Sequence, residues 1–205
     1  AGFDYTKDQK RRIKEIFADL SSGRVMDRLL SGDVGFGKTE VAMNAMLAVV
    51  LDGFQALFIC PTTLLASQHF HGIQKRFSEF GIKVAKLDGK TSAKEKTSIK
   101  KALENGDIQI VIGTHSLLSV KTKDLALVII DEEHKFGVKQ KEKLKQLRED
   151  VHIFSMSATP IPRTLNLALS KLKGMSTLLT PPSERLGVRT FVKEYSDALI
   201  KEVIL

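Results

Sequence analysis

Cysteine, tryptophan and tyrosine are scarce in this sequence: its 205 residues include one cysteine, Cys60, two tyrosines and no tryptophan. A single cysteine cannot form an internal disulfide, which excludes the disulfide-stabilised class of secreted domains and indicates a reducing compartment. Long apolar runs are also missing, because runs such as that from Leu125 to Ile130 fall far short of the roughly 20 residues that span a bilayer. The first residues lack the basic and apolar regions of a signal peptide. We therefore expect a soluble, cytoplasmic protein without a membrane partner.

Acidic residues are outnumbered by basic ones. The chain has 32 lysines and arginines against 24 aspartates and glutamates, which gives a formal net charge of +8. Between residues 75 and 101 nine basic residues accompany three acidic ones, and between residues 135 and 148 six accompany one. Clusters of this kind favour a polyanionic partner and suit phosphate backbones rather than bases. Net charge alone leaves an ordinary soluble basic surface equally open.

Apolar periodicity predicts helices and strands in alternation. Several of the expected strands are almost continuously apolar, which is typical of strands buried on both faces. The sequence therefore predicts an α/β fold with a mostly parallel sheet and helices on both faces. Expected helices cover residues 6–20, 38–51, 63–80, 92–103 and 139–148, and expected strands cover 28–30, 56–60, 83–87, 108–112, 125–130 and 152–156.

A glycine-rich segment between the first strand and the second helix matches the phosphate-loop pattern G-x-x-x-x-G-K-[ST]. Glycines let the backbone direct its N–H groups toward a phosphate, and the following helix points its positive dipole end at the same anion. Lysine then supplies a charge for the β- and γ-phosphates of ATP, and the threonine hydroxyl can bind Mg²⁺. The expected nucleotide-binding residues here are Gly32, Asp33, Val34, Gly35, Phe36, Gly37, Lys38, Thr39 and Glu40.

Acidic residues follow the most apolar strand, in the segment Asp131-Glu132-Glu133-His134. In a parallel α/β sheet such a strand delivers its carboxylates to the edge where the phosphate loop lies. We expect Asp131 to hold Mg²⁺ and Glu132 to orient and activate the attacking water. A helix N-terminus with acidic residues is the ordinary alternative. We assign catalytic roles to Lys38, Asp131 and Glu132, and metal-binding roles to Thr39 and Asp131.

Five blocks in this order resemble the first motor domain of superfamily 2 helicases and translocases, over about residues 3–182. They are the phosphate loop, Pro61-Thr62-Thr63, Gly113-Thr114-His115, the acidic segment and Ser157-Ala158-Thr159. The resemblance implies a RecA-like P-loop NTPase fold and ATP hydrolysis with Mg²⁺. It also implies sequence-independent contacts with the backbone of double-stranded DNA, and a second RecA-like domain in the same chain.

Three longer strings, residues 26–42, 129–138 and 158–165, are similar to bacterial transcription-repair coupling factors. That resemblance implies a motor that displaces stalled RNA polymerase and recruits excision-repair proteins through other regions. RecG-type fork-remodelling helicases share much of these strings and stay open as the alternative. Phe36 and Glu133 favour the coupling factor, whereas His134 departs from it. A module that binds ATP and DNA without turnover on its own also stays open.

The resemblance implies further roles residue by residue. Gln9 aligns with a glutamine that reads adenine, although Thr6 and Gln9 also form a helix capping pattern. Phe3 aligns with an aromatic residue of the same motif. Two other histidines, His69 and His71, lack metal-ligand partners at useful spacing. Expected DNA contacts are Thr62, Thr63, Thr114, His115 and Arg163, and residues expected to couple hydrolysis to DNA are His134, Ser157 and Thr159.

A boundary is expected at Thr180-Pro181-Pro182-Ser183, where prolines interrupt the alternating pattern. We assign residues 1–180 to the ATP-binding domain and residues 181–205 to a linker and the start of a next domain. The last residues have no helix stop signal, and we expect a chain that continues beyond them.

Overall fold

The computed structural model describes residues 4–159 and 173–182, as alternating helices and strands with two short 3₁₀ helices. Phe3, Arg163 and most of the expected linker, residues 183–205, lie outside the described residues. The elements in chain order are α1 (Lys7–Leu20), β1 (Asp27–Gly32), α2 (Lys38–Leu51), β2 (Gln55–Ile59), α3 (Thr63–Ser78), β3 (Val84–Leu87), α4 (Ala93–Asn105), β4 (Ile110–Gly113), the 3₁₀ helix His115–Ser119, β5 (Leu125–Asp131), the 3₁₀ helix Glu133–Lys135, α5 (Val138–Leu147), β6 (His152–Ser157) and β7 (Gly174–Leu178).

The strands form one seven-stranded sheet in the order β3-β4-β2-β5-β6-β1-β7. Every described strand pair is parallel, which confirms the predicted fold class. This order brings β5, β6 and β1 side by side, so their carboxyl ends meet at one edge of the sheet. The predicted nucleotide residues follow β1 and β5, and the residues Ser157 to Thr159 end or follow β6.

Two apolar layers cover the sheet, one on each face. On one face α2 and α3 pack through Met46, Ile73 and Phe77 against strand residues such as Phe58. On the other face Leu103 of α4 and Leu144 of α5 pack against residues such as Val128. β2 and β4 are buried along their whole length, as their continuous apolar sequence predicts.

Helix α1 begins with a complete capping box, in which the Thr6 hydroxyl accepts from the Gln9 N–H and the Gln9 side chain accepts from the Thr6 N–H. Helix α4 begins with a second capping box, between Ser92 and Glu95. The first cap confirms the prediction made from the spacing of Thr6 and Gln9, and the second has the same Ser-x-x-Glu spacing.

Strand β7 was not predicted, because Gly174–Leu178 contains glycine, serine and threonine and lacks an apolar run. It forms through tertiary contacts: it pairs with β1, and the Arg12 side chain of α1 donates to the Thr177 carbonyl. Asp8 of α1 accepts hydrogen bonds from the N–H groups of Leu179 and Thr180. No helix within residues 4–159 and 173–182 is long and apolar enough to cross a bilayer.

Candidate nucleotide site

The phosphate loop connects β1 to α2 and contains two glycines in the left-handed backbone region. Gly35 has φ 79° and Gly37, the N-cap of α2, has φ 82°. A side chain is strained at such angles, which explains why glycine occupies both positions. A Cβ atom at Gly37 would also lie 2.0 Å from Nε2 of Gln9. The loop is therefore closed against α1 on one side and opens at the N-terminus of α2.

Lys38 is the first residue of α2, and its ammonium group lies inside the loop. Nζ donates to the carbonyl oxygens of Gly32 at 2.6 Å and Asp33 at 3.0 Å. Burial lowers the pKa of Lys38 below its usual value, although the carboxylates of Glu132, Asp131 and Asp33 act in the opposite direction. The amine thus lies where a cation is needed for a phosphate, and its two carbonyl contacts can be exchanged for phosphate oxygens.

Thr39 and Asp131 line the same cavity of about 770 Å³, together with Gly35, Gly37 and Lys38. Asp131 ends β5, and Thr39 lies in the first turn of α2. A hydroxyl and one carboxylate are hard oxygen donors, and Mg²⁺ is usually held by few carboxylates together with substrate phosphates and water. Within the described residues there is no cluster of three or more carboxylate, histidine or cysteine ligands. The donor set therefore fits Mg²⁺ bound together with a nucleotide.

Glu132 follows Asp131 and is the one non-glycine residue with a positive φ, 54°, in the part of the chain described here. Its Oε1 accepts from the Ala158 N–H at 2.8 Å, and its Oε2 lies 3.4 Å from the Ser157 hydroxyl. Nδ1 of His134 lies 3.2 Å from the same Oε2. Strained backbone of this kind is often found at functional sites. The acidic segment and the Ser157–Thr159 segment are therefore in direct contact through one carboxylate.

Glu133, the residue after Glu132, is held in a network of charged side chains. It forms ion pairs with Arg148 at 2.6 Å and Lys173 at 3.2 Å, and it also accepts from the Ser155 hydroxyl. Asp27 pairs with the same two cations, at 2.9 Å and 3.0 Å. Burial acts to raise the pKa of Glu133, but Lys173, Ser155 and Arg148 outweigh it, so the pKa lies below its usual value. The backbone on the C-terminal side of Glu132 is therefore held to β6, to the end of α5 and to the residue before β7.

Gln9 performs the capping role and also contacts the phosphate loop. Its side-chain oxygen accepts from the Thr6 N–H at 2.9 Å, and its Nε2 donates to the Phe36 carbonyl at 3.2 Å. Among the residues that the structure describes, one further N–H and one lone pair of the amide have no hydrogen-bond partner. The capping prediction is confirmed, and the adenine contact stays a prediction.

A polar cluster beside the loop was not predicted. Arg76 of α3 pairs with Glu40 at 3.1 Å and donates to the Tyr5 hydroxyl at 2.8 Å, which also accepts from Asn44 at 3.1 Å. Glu40, expected among the nucleotide-binding residues, therefore directs its carboxylate toward α3. Glu40 and Arg76 line a second cavity of about 450 Å³ between α2 and α3. No spacing rule connects residues this far apart in the sequence.

The expected DNA contacts are placed at the carboxyl ends of β2 and β4, which are neighbours in the sheet. The Thr62 hydroxyl caps α3 by accepting from the Leu65 N–H at 3.2 Å, and Thr63 is the first residue of the helix. Thr114 is buried before the 3₁₀ helix, whereas His115 is exposed. The four residues share the sheet edge of the nucleotide site, but none of them lines its cavity.

His69 of α3 also approaches the site, although its sequence spacing indicated no role. Its Nε2 lies 3.6 Å from Oδ2 of Asp131, and its ring lies 4.8 Å from the ring of Phe58 in β2. A histidine seven residues into a helix has no local signal for such a contact, because the rotation of α3 against the sheet is set by core packing.

Comparison with known proteins gives a consistent family. A family model described as DEAD/DEAH box helicase matches residues 6–168. The transcription-repair-coupling factor of Helicobacter pylori (strain ATCC 700392 / 26695) is 61% identical over 204 residues, which cover 100% of this chain and 20% of the relative. The protein of the same name in Escherichia coli (strain K12) is 47% identical, over 99% of this chain and 18% of the relative. The chain thus spans about a fifth of the length of these relatives.

Solved structures of helicases have a fold similar to that of this chain. The structure of RecG bound to a three-way DNA junction has a TM-score of 0.79 and 44% identity, and covers 90% of this chain and 25% of that chain. The helicase MrfA bound to DNA and AMPPNP has a TM-score of 0.62, with 83% of this chain and 27% of that chain covered. Its identity is 20%, so this likeness shows the fold alone.

Proposed function

Because the chain belongs to the DEAD/DEAH box helicase family, we propose that it is the ATP-binding half of a motor that moves along double-stranded DNA. The observation that carries this proposal is the meeting of three segments at one sheet edge. The phosphate loop after β1, the carboxylates after β5 and the Ser157–Thr159 segment after β6 line one cavity. A nucleotide in this cavity would contact the phosphate loop, the carboxylates and the Ser157–Thr159 segment at the same time.

Phosphate binding belongs to the loop and Lys38. The N–H groups at the N-terminus of α2 and the helix dipole favour an anion in front of Gly37. The Lys38 ammonium exchanges its two carbonyl contacts for oxygens of the β- and γ-phosphates. Thr39 and Asp131 hold Mg²⁺, and the bound metal supplies positive charge for the phosphate oxygens.

Glu132 is the residue that handles the proton of the attacking water. Water attacks the γ-phosphorus, the bond to the β–γ bridging oxygen breaks, and ADP and phosphate leave. Glu132 orients the water and accepts its proton. The Ala158 N–H and His134 hold the same carboxylate, so its position depends on the segment after β6. This contact supports the proposed coupling roles of His134, Ser157 and Thr159, because a shift of that segment moves the catalytic base.

The whole protein is proposed to be a DNA translocase of transcription-coupled repair. Relatives with the name transcription-repair-coupling factor are 61% and 47% identical to this chain over nearly all of its length. We propose that Thr62, Thr63, Thr114 and His115, with Arg163, contact the DNA backbone. Residues 181–205 are proposed to lead into a second RecA-like domain. Contacts with RNA polymerase and excision-repair proteins belong to other regions of the full protein.

A fork-remodelling helicase of the RecG type is the second candidate. The RecG structure bound to a three-way junction is 44% identical to this chain and superimposes with a TM-score of 0.79. Both candidates use the same nucleotide site, and they differ in what the other domains bind. Displacement of RNA polymerase from DNA, measured with the full protein, separates them from each other.

The dependence of turnover on a second domain tests the half-motor proposal. A second domain contributes arginines to the transferring phosphate, and such a finger is worth about 10³ to 10⁵ in rate in related nucleotidases. We expect little phosphate release from the 205-residue chain with or without duplex DNA. A chain extended through the following domain should show DNA-stimulated release. Equal turnover in both would show that the short chain is a complete enzyme and would contradict the proposal.

A further inference from the structure

Within residues 4–159 and 173–182, His69 is the one side chain within ion-pair distance of the Asp131 carboxylate. Nε2 of His69 lies 3.6 Å from Oδ2 of Asp131, and no other described side chain forms an ion pair or hydrogen bond with that carboxylate. Both side chains are mostly buried, at 18% and 13% exposure. The distance is just beyond hydrogen-bond range, which is common for catalytic contacts before the substrate binds.

The ring of His69 also contacts the core. Phe58 of β2 is fully buried, and its ring lies 4.8 Å from the imidazole with an angle of 40° between the planes. The direction of the imidazole is therefore set by Phe58 of β2 and by the backbone of α3. A side chain that is free to rotate would have no such constraint. His69 lines both the nucleotide cavity and the cavity between α2 and α3, so it lies on the wall that separates them.

We propose that His69 is a positioning residue, which orients the Asp131 carboxylate for Mg²⁺ by donating from Nε2 while Phe58 holds its ring. This inference rests on the proposed function, because Asp131 is taken as a metal ligand. Groups that hydrogen-bond to metal ligands fix the ligand's orientation, and their loss typically costs 10- to 100-fold in metal affinity or activity. The imidazole itself binds neither the metal nor the nucleotide in this account.

The contact also connects two parts of the sheet edge. His69 lies on α3, the helix that begins at the proposed DNA contacts Thr62 and Thr63, about two turns further along. A rotation or shift of α3 therefore moves the Nε2 donor relative to Asp131. This connection joins α3 to Asp131, and it is separate from the contact of Glu132 with Ser157 and Ala158.

The test uses the 205-residue chain, a fluorescent ATP analogue and a titration with Mg²⁺. For His69→Ala we expect the Mg²⁺ concentration at half-maximal binding to rise about 10- to 100-fold. Analogue binding in EDTA should stay at the wild-type level, because no nucleotide contact is removed. His69→Gln retains an N–H donor and should recover most of the loss. His71→Ala is the matched control: His71 is exposed on the same helix and should leave the Mg²⁺ dependence unchanged.

Two outcomes would overturn the inference while the proposed function stands. One is a wild-type Mg²⁺ dependence in His69→Ala. The other is an equal loss of analogue binding with and without Mg²⁺, which would mean that His69 only supports the local structure. If the wild-type chain itself binds the analogue without any dependence on Mg²⁺, the proposed metal site fails, and the role of His69 falls with it.

Discussion

At the scale of single residues, Glu132 carries the most specific assignment, because its carboxylate connects three groups. The Ala158 N–H donates to one oxygen, and the Ser157 hydroxyl and His134 lie near the other. Its backbone has φ 54°, and the anchored neighbour Glu133 restricts how this strain can relax. A carboxylate held this way is positioned before the substrate arrives, which is what a general base requires.

Glu132→Gln should therefore separate binding from turnover. The amide can still accept from the Ala158 N–H, but it cannot accept a proton from water. In the full protein we expect ATP affinity within a few-fold of wild type and a decrease in kcat of about 10² to 10⁴. Binding by equilibrium titration and phosphate release in steady state measure the two quantities. A variant that keeps near-normal turnover would remove Glu132 from the catalytic role.

Cys60, unlike Glu132, is a residue of a reactive type in an environment that does not favour reaction. It is fully buried between β2 and the segment before α3, and burial raises the pKa of its thiol far above the usual range. The thiolate is the nucleophilic form, so burial disfavours reaction of this cysteine in the folded chain. The residue type alone could not decide this, whereas the position at the end of an apolar strand indicated burial.

At the scale of helices and strands, the sequence predicted what depends on neighbours along the chain. The phosphate loop, both capping boxes and six of the seven strands follow from spacing and periodicity. What it could not predict depends on packing: β7 pairs with β1 despite its polar sequence, and α3 turns His69 toward Asp131. Arg76 meets Glu40 and Tyr5 for the same reason, since the rotation of α3 against α2 is fixed by core residues such as Ile73.

The start of β6 makes stability depend on pH through His152. Nδ1 of His152 accepts from the Met26 N–H at 2.9 Å, so the fold needs the neutral imidazole. Burial lowers the pKa of His152 below 6.5, although Asp19 acts in the opposite direction. The unfolded chain therefore takes up this proton at a higher pH than the folded chain. The contribution is complete above the unfolded pKa and decreases as the pH falls below it.

Urea unfolding at pH 8 and pH 5 measures this contribution. His152→Asn retains an acceptor in nearly the same place but has no proton to gain. We expect the variant to lose less unfolding free energy than the wild type between the two pH values. His71→Asn, at an exposed position on α3, should lose as much as the wild type. An equal loss in the wild type and His152→Asn would show that His152 does not contribute.

At the scale of the whole molecule, the excess of positive charge predicts the way in which the chain binds DNA. The net charge is +8, and α5 presents the exposed lysines Lys139, Lys141 and Lys145. These three form no ion pair with any residue that the structure describes. Exposed charges of this kind hold phosphates without reading bases, and each neutralised phosphate releases a counterion.

DNA binding by this chain should therefore be weak, independent of sequence and sensitive to salt. We expect duplex affinity to fall about tenfold or more between 50 and 200 mM salt, as fluorescence anisotropy would measure. Replacing Lys139, Lys141 and Lys145 by glutamine should reduce the slope of log affinity against log salt, and replacing them by arginine should preserve it. Affinity that hardly changes with salt, or a strong preference for one sequence, would contradict this expectation.

The most direct test of the account is whether the cleft at the carboxyl ends of β1, β5 and β6 binds ATP through Lys38. Charged hydrogen bonds are worth about 1.5 to 3 kcal/mol, so removal of the ammonium group by Lys38→Ala should weaken binding by about tenfold to a hundredfold. The measurement is a titration of the folded chain and the variant with a fluorescent ATP analogue in Mg²⁺, with circular dichroism to show that both are folded. The account predicts saturable binding by the wild type and a large loss in the variant. Equal affinity in the two proteins would contradict it.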